Sequence, residues 1–143
     1  MSSKNLILPI AMLTALNCVT AYAGDSAHYI CSGRAEVGST DKGNKVRQIS
    51  MKFSDSRYHG GSRRYDLSSA YGGKLFVGST IDSSHDGWGK GTVVLQSGKD
   101  DFYRGDFKME EREAGYGLAI TGDIIFDGAV YNVKAILPCK ELR

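Results

Sequence analysis

The 143-residue chain is poor in proline, cysteine and tryptophan, with 2, 3 and 1 of them. Beyond one apolar run near its start it has no long hydrophobic segment, so we predict no membrane anchor. Internal repeats, domain linkers, metal-ligand spacings and a phosphate-binding glycine loop are also missing, and we expect neither a metal nor a cofactor. Because 18 basic residues nearly balance 16 acidic ones, overall charge alone implies neither a nucleic-acid nor a membrane partner.

Residues 1–23 have the organisation of a cleaved signal peptide. Lys4 supplies a positive charge, the apolar run Leu6–Leu16 follows, and Ala21-Tyr22-Ala23 has the small residues at which signal peptidase cuts. The apolar run is too short to span a bilayer. The sequence therefore predicts a secreted protein with a single domain over residues 24–143.

Two cysteines, Cys31 and Cys139, lie near the two ends of the predicted domain. In an oxidising compartment an even pair of this kind is expected to form a disulfide. The cross-link would close almost the whole domain and stabilise it by about 4–5 kcal/mol in the chain-entropy model. The third cysteine, Cys18, lies in the leader, and a lipoprotein anchored through it is the alternative to simple cleavage.

Eighteen glycines and few prolines favour short strands joined by glycine turns. Asp127-Gly128, between two β-forming runs, is the strongest hairpin signal in the chain. Ser97-Gly98-Lys99-Asp100 predicts a second hairpin in the same way. We expect Pro138 to stop the last strand.

The segment from Val46 to Phe53 fits two periodicities. Val46, Ile49 and Phe53 have the spacing of one helix face, whereas Ile49, Met51 and Phe53 alternate as in a strand. We favour a short helix here, and we interpret residues 54–73, which hold few aliphatic side chains, as a long loop or irregular strand. The predicted fold is α+β, with one short helix packed on a curved antiparallel sheet. An all-β antiparallel barrel is the alternative.

Two loops carry the candidate binding residues. Guanidinium groups pair with phosphates and tyrosine rings stack on unpaired bases, and both residue types also anchor protein contacts. A solvated loop without a specific role is the third possibility. Trp88 is either a core plug or an exposed anchor. The candidates are Arg57, Tyr58, Arg63, Arg64 and Tyr65 in the first loop, and Trp88 and Lys90 in the second.

Catalysis has weak support in this sequence. Cleavage of RNA needs a base, an acid and a cation, which His59, His85 and an arginine would have to provide. Nothing in the sequence brings these residues together, and no nucleophile-elbow motif supports a serine hydrolase. The acidic run Glu110-Glu111-Arg112-Glu113 is interpreted as a charged turn between strands. We therefore expect a binding protein and no enzyme, with an active small endoribonuclease as an alternative.

Tyr29-x-Cys31-x-Gly33, together with the late Cys139, resembles the secreted RNase-like effectors of powdery mildew fungi. Tyr71-x-Gly73-x-x-Phe76, and Gly91–Leu95 followed by Tyr103-Arg104-Gly105, are similar to strands of small fungal guanyl-specific ribonucleases. None of the four catalytic positions of those ribonucleases is matched. The resemblance implies a non-catalytic pseudo-ribonuclease delivered to a host cell as a monomeric virulence effector. Its partner would be a host protein, such as a plant immune receptor, or host RNA.

Ser62-Arg63-Arg64-Tyr65 and Trp88-Gly89-Lys90-Gly91 support a second resemblance. They are similar to the Ser/Tyr loop and the Lys-Gly loop that bacterial periplasmic inhibitors of c-type lysozyme insert into the lysozyme cleft. Those inhibitors also join an early Tyr-x-Cys to a late cysteine across a small barrel. The two loops lie further apart in this sequence than in that family. The resemblance implies a periplasmic, barrel-shaped binding protein.

Overall fold

The computed structural model describes residues 26–39, 41, 43–83 and 89–142. These residues form a closed antiparallel barrel in which each strand pairs with the next and the eighth returns to the first. The helical element among them is a short 3-10 turn, His59–Gly61. The strands are β1 (Ser26–Ser39), β2 (Gly43–Arg57), β3 (Arg63–Tyr71), β4 (Lys74–Asp82), β5 (Lys90–Ser97), β6 (Asp101–Arg112), β7 (Gly115–Phe126) and β8 (Ala129–Leu142).

The α+β prediction is wrong, and the all-β alternative is correct. The predicted helix lies within β2, which pairs with β1 and β3 on its two sides. Ile49, Met51 and Phe53 are buried in the barrel, while Val46 is 52% exposed, so the strand-like alternation was the meaningful pattern. Residues 54–73 contain the end of β2, the 3-10 turn and the whole of β3, where a long loop or irregular strand is predicted from the sequence.

The inward-facing side chains fill the barrel. The ring of Phe53 stacks on Tyr65 with 5.4 Å between centroids and meets Phe107 edge-on at 5.8 Å. The cavity beside Tyr103 measures about 20 Å³, which is room for a single water molecule. The interior formed by the described residues is therefore a packed core and not a chamber for an organic ligand.

The predicted disulfide between Cys31 and Cys139 is present, and it lies where β1 meets β8. The expectation that Pro138 ends the last strand is wrong, since β8 continues to Leu142. Proline has no N–H for the ladder, and pairing of β1 with β8 stops after the cysteines and resumes at Glu36. The disulfide thus holds the seam beside the place where its hydrogen bonding is interrupted.

The up-and-down strand order sends successive connections to opposite ends of the barrel. The end that carries the β2–β3, β4–β5 and β6–β7 connections, together with the start of β1 and the end of β8, is called the loop end. The other, called the turn end, carries four short connections. Both predicted hairpins are confirmed there. Asp127 and Gly128 have φ of 49° and 79°, as a tight Asp-Gly turn requires.

Candidate functional site: the loop end of the barrel

Two segments that are distant in sequence meet at the loop end. The backbone N–H of Gly89 donates a hydrogen bond of 2.8 Å to the hydroxyl of Tyr65. Ser62 Oγ donates to Ser83 Oγ at 3.4 Å, which links the same two connections a second time. Gly89 also accepts a hydrogen bond of 2.7 Å from the N–H of Met109 on β6. The Ser/Arg/Tyr segment and the Gly-Lys segment are therefore neighbours at this end of the barrel.

Only glycine fits at position 89. Its φ of 74° lies in the left-handed region, and a Cβ there would lie 2.8 Å from the Cβ of Met109. The backbone of the β4–β5 connection can therefore approach β6 closely. Lys90, the next residue, is exposed at the start of β5 and lies opposite Lys108 on β6.

Tyr65 lies in the core, where it positions the loops. It is fully buried between Phe53 and Phe107, and only its hydroxyl reaches the β4–β5 connection. Burial raises the pKa of Tyr65, and the hydrogen bond from Gly89 opposes that rise. Its side chain is not available for a partner, and its contribution to a binding face is to fix the two segments.

The side chains of Arg63 and Arg64 lie on opposite faces of β3. Arg63 points inward, and its Nε donates a hydrogen bond of 2.8 Å to Asp55, which is 2% exposed. Arg64 points outward, where it binds Asp66 at 3.1 Å and Ser79 at 3.3 Å on the outer wall. Arg63 thus balances a buried carboxylate, and Arg64 lies beside the loop end rather than on it.

Tyr58 is the exposed aromatic residue of the first loop. It is 42% exposed, and its ring meets His59 edge-on at 4.7 Å. Backbone hydrogen bonds from Tyr58 to Ser62 (2.9 Å) and from Ser62 to His59 (3.1 Å) close the turn beneath it. Arg57 is exposed just before this turn. The loop therefore presents a cation and a ring on a closed, hydrogen-bonded support.

Carboxylates border the same end of the barrel. Glu110, Glu111 and Glu113 lie at the β6–β7 hairpin, beside a groove of about 840 Å³. Arg112 Nη1 lies 3.7 Å from Glu110 Oε1. Glu110, Glu111 and Arg112 end β6 and Glu113 lies in the turn itself, so the predicted charged turn begins later than expected. The loop end thus carries cations on β2 and β5 and carboxylates on the β6–β7 hairpin.

Part of the predicted site lies outside the described residues. This applies to Trp88, and also to His85, so the catalytic pairing of His85 with His59 stays a prediction. Within the described ranges, no group of three or more His, Cys, Asp and Glu side chains is arranged to hold a metal ion. No helix in the described part of the chain has the length and apolarity needed to cross a membrane.

Sequence reasoning missed two features. Asp55 continues the inward alternation of Ile49, Met51 and Phe53, so an acid on this apolar face signals a buried cationic partner. Toward the start of β2 the same alternation places Lys45 and Arg47 on the inward face, where they line the mouth at the turn end. Because the residues of β2 were assigned partly to a helix and partly to loops, neither pattern was recognised from the sequence.

None of the protein families, curated proteins or solved structures compared with this chain matches it. Its candidate site is therefore defined by the geometry and chemistry of its own residues.

Proposed function

We propose that this protein is a secreted, non-catalytic binding protein of the lysozyme-inhibitor type, which enters the cleft of a c-type lysozyme with the loop end of its barrel. The hydrogen bond between Tyr65 and Gly89 carries the proposal. The resemblance to these inhibitors requires a Ser/Tyr loop and a Lys-Gly loop on one surface. The distance between these two segments in the sequence argued against the resemblance. In the folded barrel, however, Tyr65 of the first segment and Gly89 of the second are in contact.

The chemistry of the loop end suits such a cleft. Lysozyme cleaves its substrate with two carboxyl groups that face each other across the cleft. Lys90 and Arg57 are exposed cations at the loop end and complement that charge. Tyr58 adds an exposed ring, and tyrosine and arginine are enriched among residues that dominate binding energy.

The support of these side chains favours tight binding. Ser62 and Tyr65 are hydrogen-bonded to Ser83 and Gly89, and Gly89 is also bonded to Met109 on β6, before a partner arrives. A rigid surface loses less conformational entropy on association than a flexible loop does. The carboxylates of the β6–β7 hairpin add a contact for a basic surface beside the cleft.

The effector interpretation loses its structural basis, because the ribonuclease resemblance implied an α+β fold and the chain forms a barrel. We therefore do not propose a pseudo-ribonuclease. A host protein or host RNA as partner stays a prediction.

An inhibition assay tests the proposal. The rate at which a c-type lysozyme clears a peptidoglycan suspension is measured against increasing concentrations of the disulfide-bonded protein. We expect saturable inhibition at near-stoichiometric ratios. Because interface hot spots cost about 2 kcal/mol or more on truncation, Lys90→Ala with Tyr58→Ala should weaken inhibition at least about tenfold.

Lys134→Ala is the matched control, since this exposed lysine lies on the outer wall of β8, away from the loop end. It should inhibit as well as the wild type. Lack of inhibition by the wild type, or equal inhibition by the double variant and the control, would contradict the proposal.

A further inference from the structure

The mouth of the barrel at the turn end is a concave pocket of about 450 Å³. This volume is in the range of pockets that bind small molecules, and barrel mouths are a common place for them. The pocket lies at the end opposite the two loops discussed above. Its wall includes Val37, Lys45, Arg47, Tyr71, Phe126 and Tyr131.

The pocket carries positive charge. Lys45 and Arg47 are exposed on β2 and follow the inward alternation that leads to Ile49. No acidic side chain in the described part of the chain lines this mouth. Within the same residues, neither cation forms an ion pair with the protein. Two positive side chains therefore face the pocket, and within the described residues no carboxylate lies at ion-pair distance from either of them.

One wall of the pocket is aromatic. The rings of Tyr71 and Phe126 meet edge-on with 5.4 Å between centroids, and Tyr131 lines the same space. Burial raises the pKa of Tyr71, the charge of Arg47 opposes that rise, and Tyr131 adds to it. Arg47 and the two tyrosines thus act on one another across the mouth.

The aromatic wall is fixed from behind. Lys74 Nζ binds Asp101 at 2.5 Å and Asp127 at 3.0 Å, and it lies over the ring of Phe126 at 4.9 Å from its centroid. The backbone N–H of Asp127 donates to Asp101 at 3.0 Å. Gly72 packs against the ring so closely that a Cβ there would lie 2.4 Å from it. These contacts connect the β3–β4, β5–β6 and β7–β8 turns to one another. The aromatic wall is therefore formed before a ligand binds.

We propose that the turn-end mouth binds a small aromatic anion, with its ring on the wall of Tyr71, Phe126 and Tyr131 and its anionic group at Lys45 and Arg47. A guanidinium group pairs with a carboxylate or sulfonate through two parallel hydrogen bonds. The ring gains buried apolar contact with the aromatic side chains.

The ligand stays in the mouth. The cavity beneath it, of about 20 Å³, is too small to admit an aromatic ring. The ring and the anionic group of the ligand must therefore both bind at the rim of the mouth, where aromatic and cationic side chains occur together. A neutral aromatic compound lacks the partner for Lys45 and Arg47, and a small inorganic anion lacks the ring.

A fluorescence titration with 8-anilinonaphthalene-1-sulfonate tests the proposal on the disulfide-bonded protein. We expect saturable one-site binding, displaced by benzoate and much less by neutral benzyl alcohol. Because the variant removes both cationic partners of the anionic group, Lys45→Gln with Arg47→Gln should weaken binding at least about tenfold.

Lys52→Gln is the matched control, because this exposed lysine lies on the outer wall of the same strand. Each variant must keep the wild-type near-ultraviolet circular dichroism and unfolding midpoint, since the dye also binds partly unfolded protein. Binding that does not saturate, equal affinity in the double variant and the control, or equal displacement by benzyl alcohol would overturn the proposal. The lysozyme assay concerns the other end of the barrel and is independent of this result.

Discussion

Cys31 and Cys139 face each other across the seam where the first strand of the barrel meets the last, with their Cα atoms 3.9 Å apart. The hydrogen-bonded ladder between these two strands is interrupted just beyond the pair, next to Pro138. The other seven strand pairs join neighbours in the chain, so this seam is the one non-local closure of the barrel. A covalent bond thus reinforces the pairing that costs the most chain entropy to form.

Removal of this disulfide should destabilise the barrel strongly. The bond closes a loop with a sequence separation of 108, for which the chain-entropy model gives about 4–5 kcal/mol. We expect Cys31→Ser with Cys139→Ser to lower the free energy of unfolding in urea by this amount. A reducing agent should lower the stability of the wild type equally and leave the variant unchanged. A loss below about 1 kcal/mol in both experiments would show that strand pairing alone holds the seam.

Replacement of Arg63 should cost far more stability than replacement of its neighbour. Arg63→Gln removes the cation 2.8 Å from the buried carboxylate of Asp55, and breaking such a pair costs about 3 kcal/mol. Arg64→Gln is the matched control, because its partner Asp66 is exposed and surface pairs contribute about 1 kcal/mol or less. Urea unfolding measures both, and Asp55→Asn should restore part of the loss caused by Arg63→Gln. Equal losses for the two arginines would contradict this account.

The contacts that join Lys74, Asp101 and Asp127 at the turn end should give the protein an acid-sensitive component of stability. Hydrogen bonds from Lys74 and from the backbone of Asp127 lower the pKa of Asp101 from its ordinary 3.8. A carboxyl whose pKa is lower in the folded state stabilises the fold above pH 3.8, and this contribution is lost as the pH falls through the folded-state pKa. The gap in urea midpoint between wild type and Asp101→Asn should therefore be full at pH 6 and shrink below pH 4. A gap that stays constant down to pH 2 would contradict the assignment.

The buried hydroxyl of Tyr103 should contribute nothing to stability. Within the described residues this oxygen has no hydrogen-bond partner, and burial raises the pKa of Tyr103. Tyr103→Phe removes an unsatisfied polar group and should leave the free energy of unfolding unchanged or raise it by about 1 kcal/mol. Tyr103→Leu serves as a control that loses ring contacts and should destabilise. A clear loss in the phenylalanine variant would show that the hydroxyl has a partner in solution.

Local chemistry explains which parts of the fold the sequence predicts correctly. The turn at Asp127-Gly128 needs positive φ at both residues, and this dipeptide provides it without help from the rest of the chain. The pairing of Cys31 with Cys139 follows from the presence of two cysteines in the predicted domain over residues 24–143. Neither conclusion depends on knowing which strands are neighbours.

It is harder to predict which side chains of a strand point inward, because partners elsewhere in the chain decide this. The segment from Val46 to Phe53 fits a helix as well as a strand until β1 and β3 pair with it on both sides. On β3, small and polar side chains such as Ser69 share the inward face with Tyr65, so the segment lacks the aliphatic pattern of a strand.

The same uncertainty affected the candidate site. Tyr58 and Tyr65 are equivalent in a loop, but the strand assignment makes one exposed and the other fully buried. Arg63 and Arg64 are likewise separated by the alternation of β3 into an inward and an outward residue. Tyr65 on β3 meets Gly89 before β5 only when β3, β4 and β5 are arranged in the folded barrel, and the sequence has no local signal for that arrangement.

Hydrogen–deuterium exchange on the protein alone and in the presence of excess c-type lysozyme tests the central claim, that the loop end is the binding face. We expect slower amide exchange in residues 57–65 and 89–91 on addition of lysozyme, and unchanged exchange at the turn end in residues 43–48 and 126–131. Unchanged exchange at the loop end, or protection confined to the turn end, would contradict it.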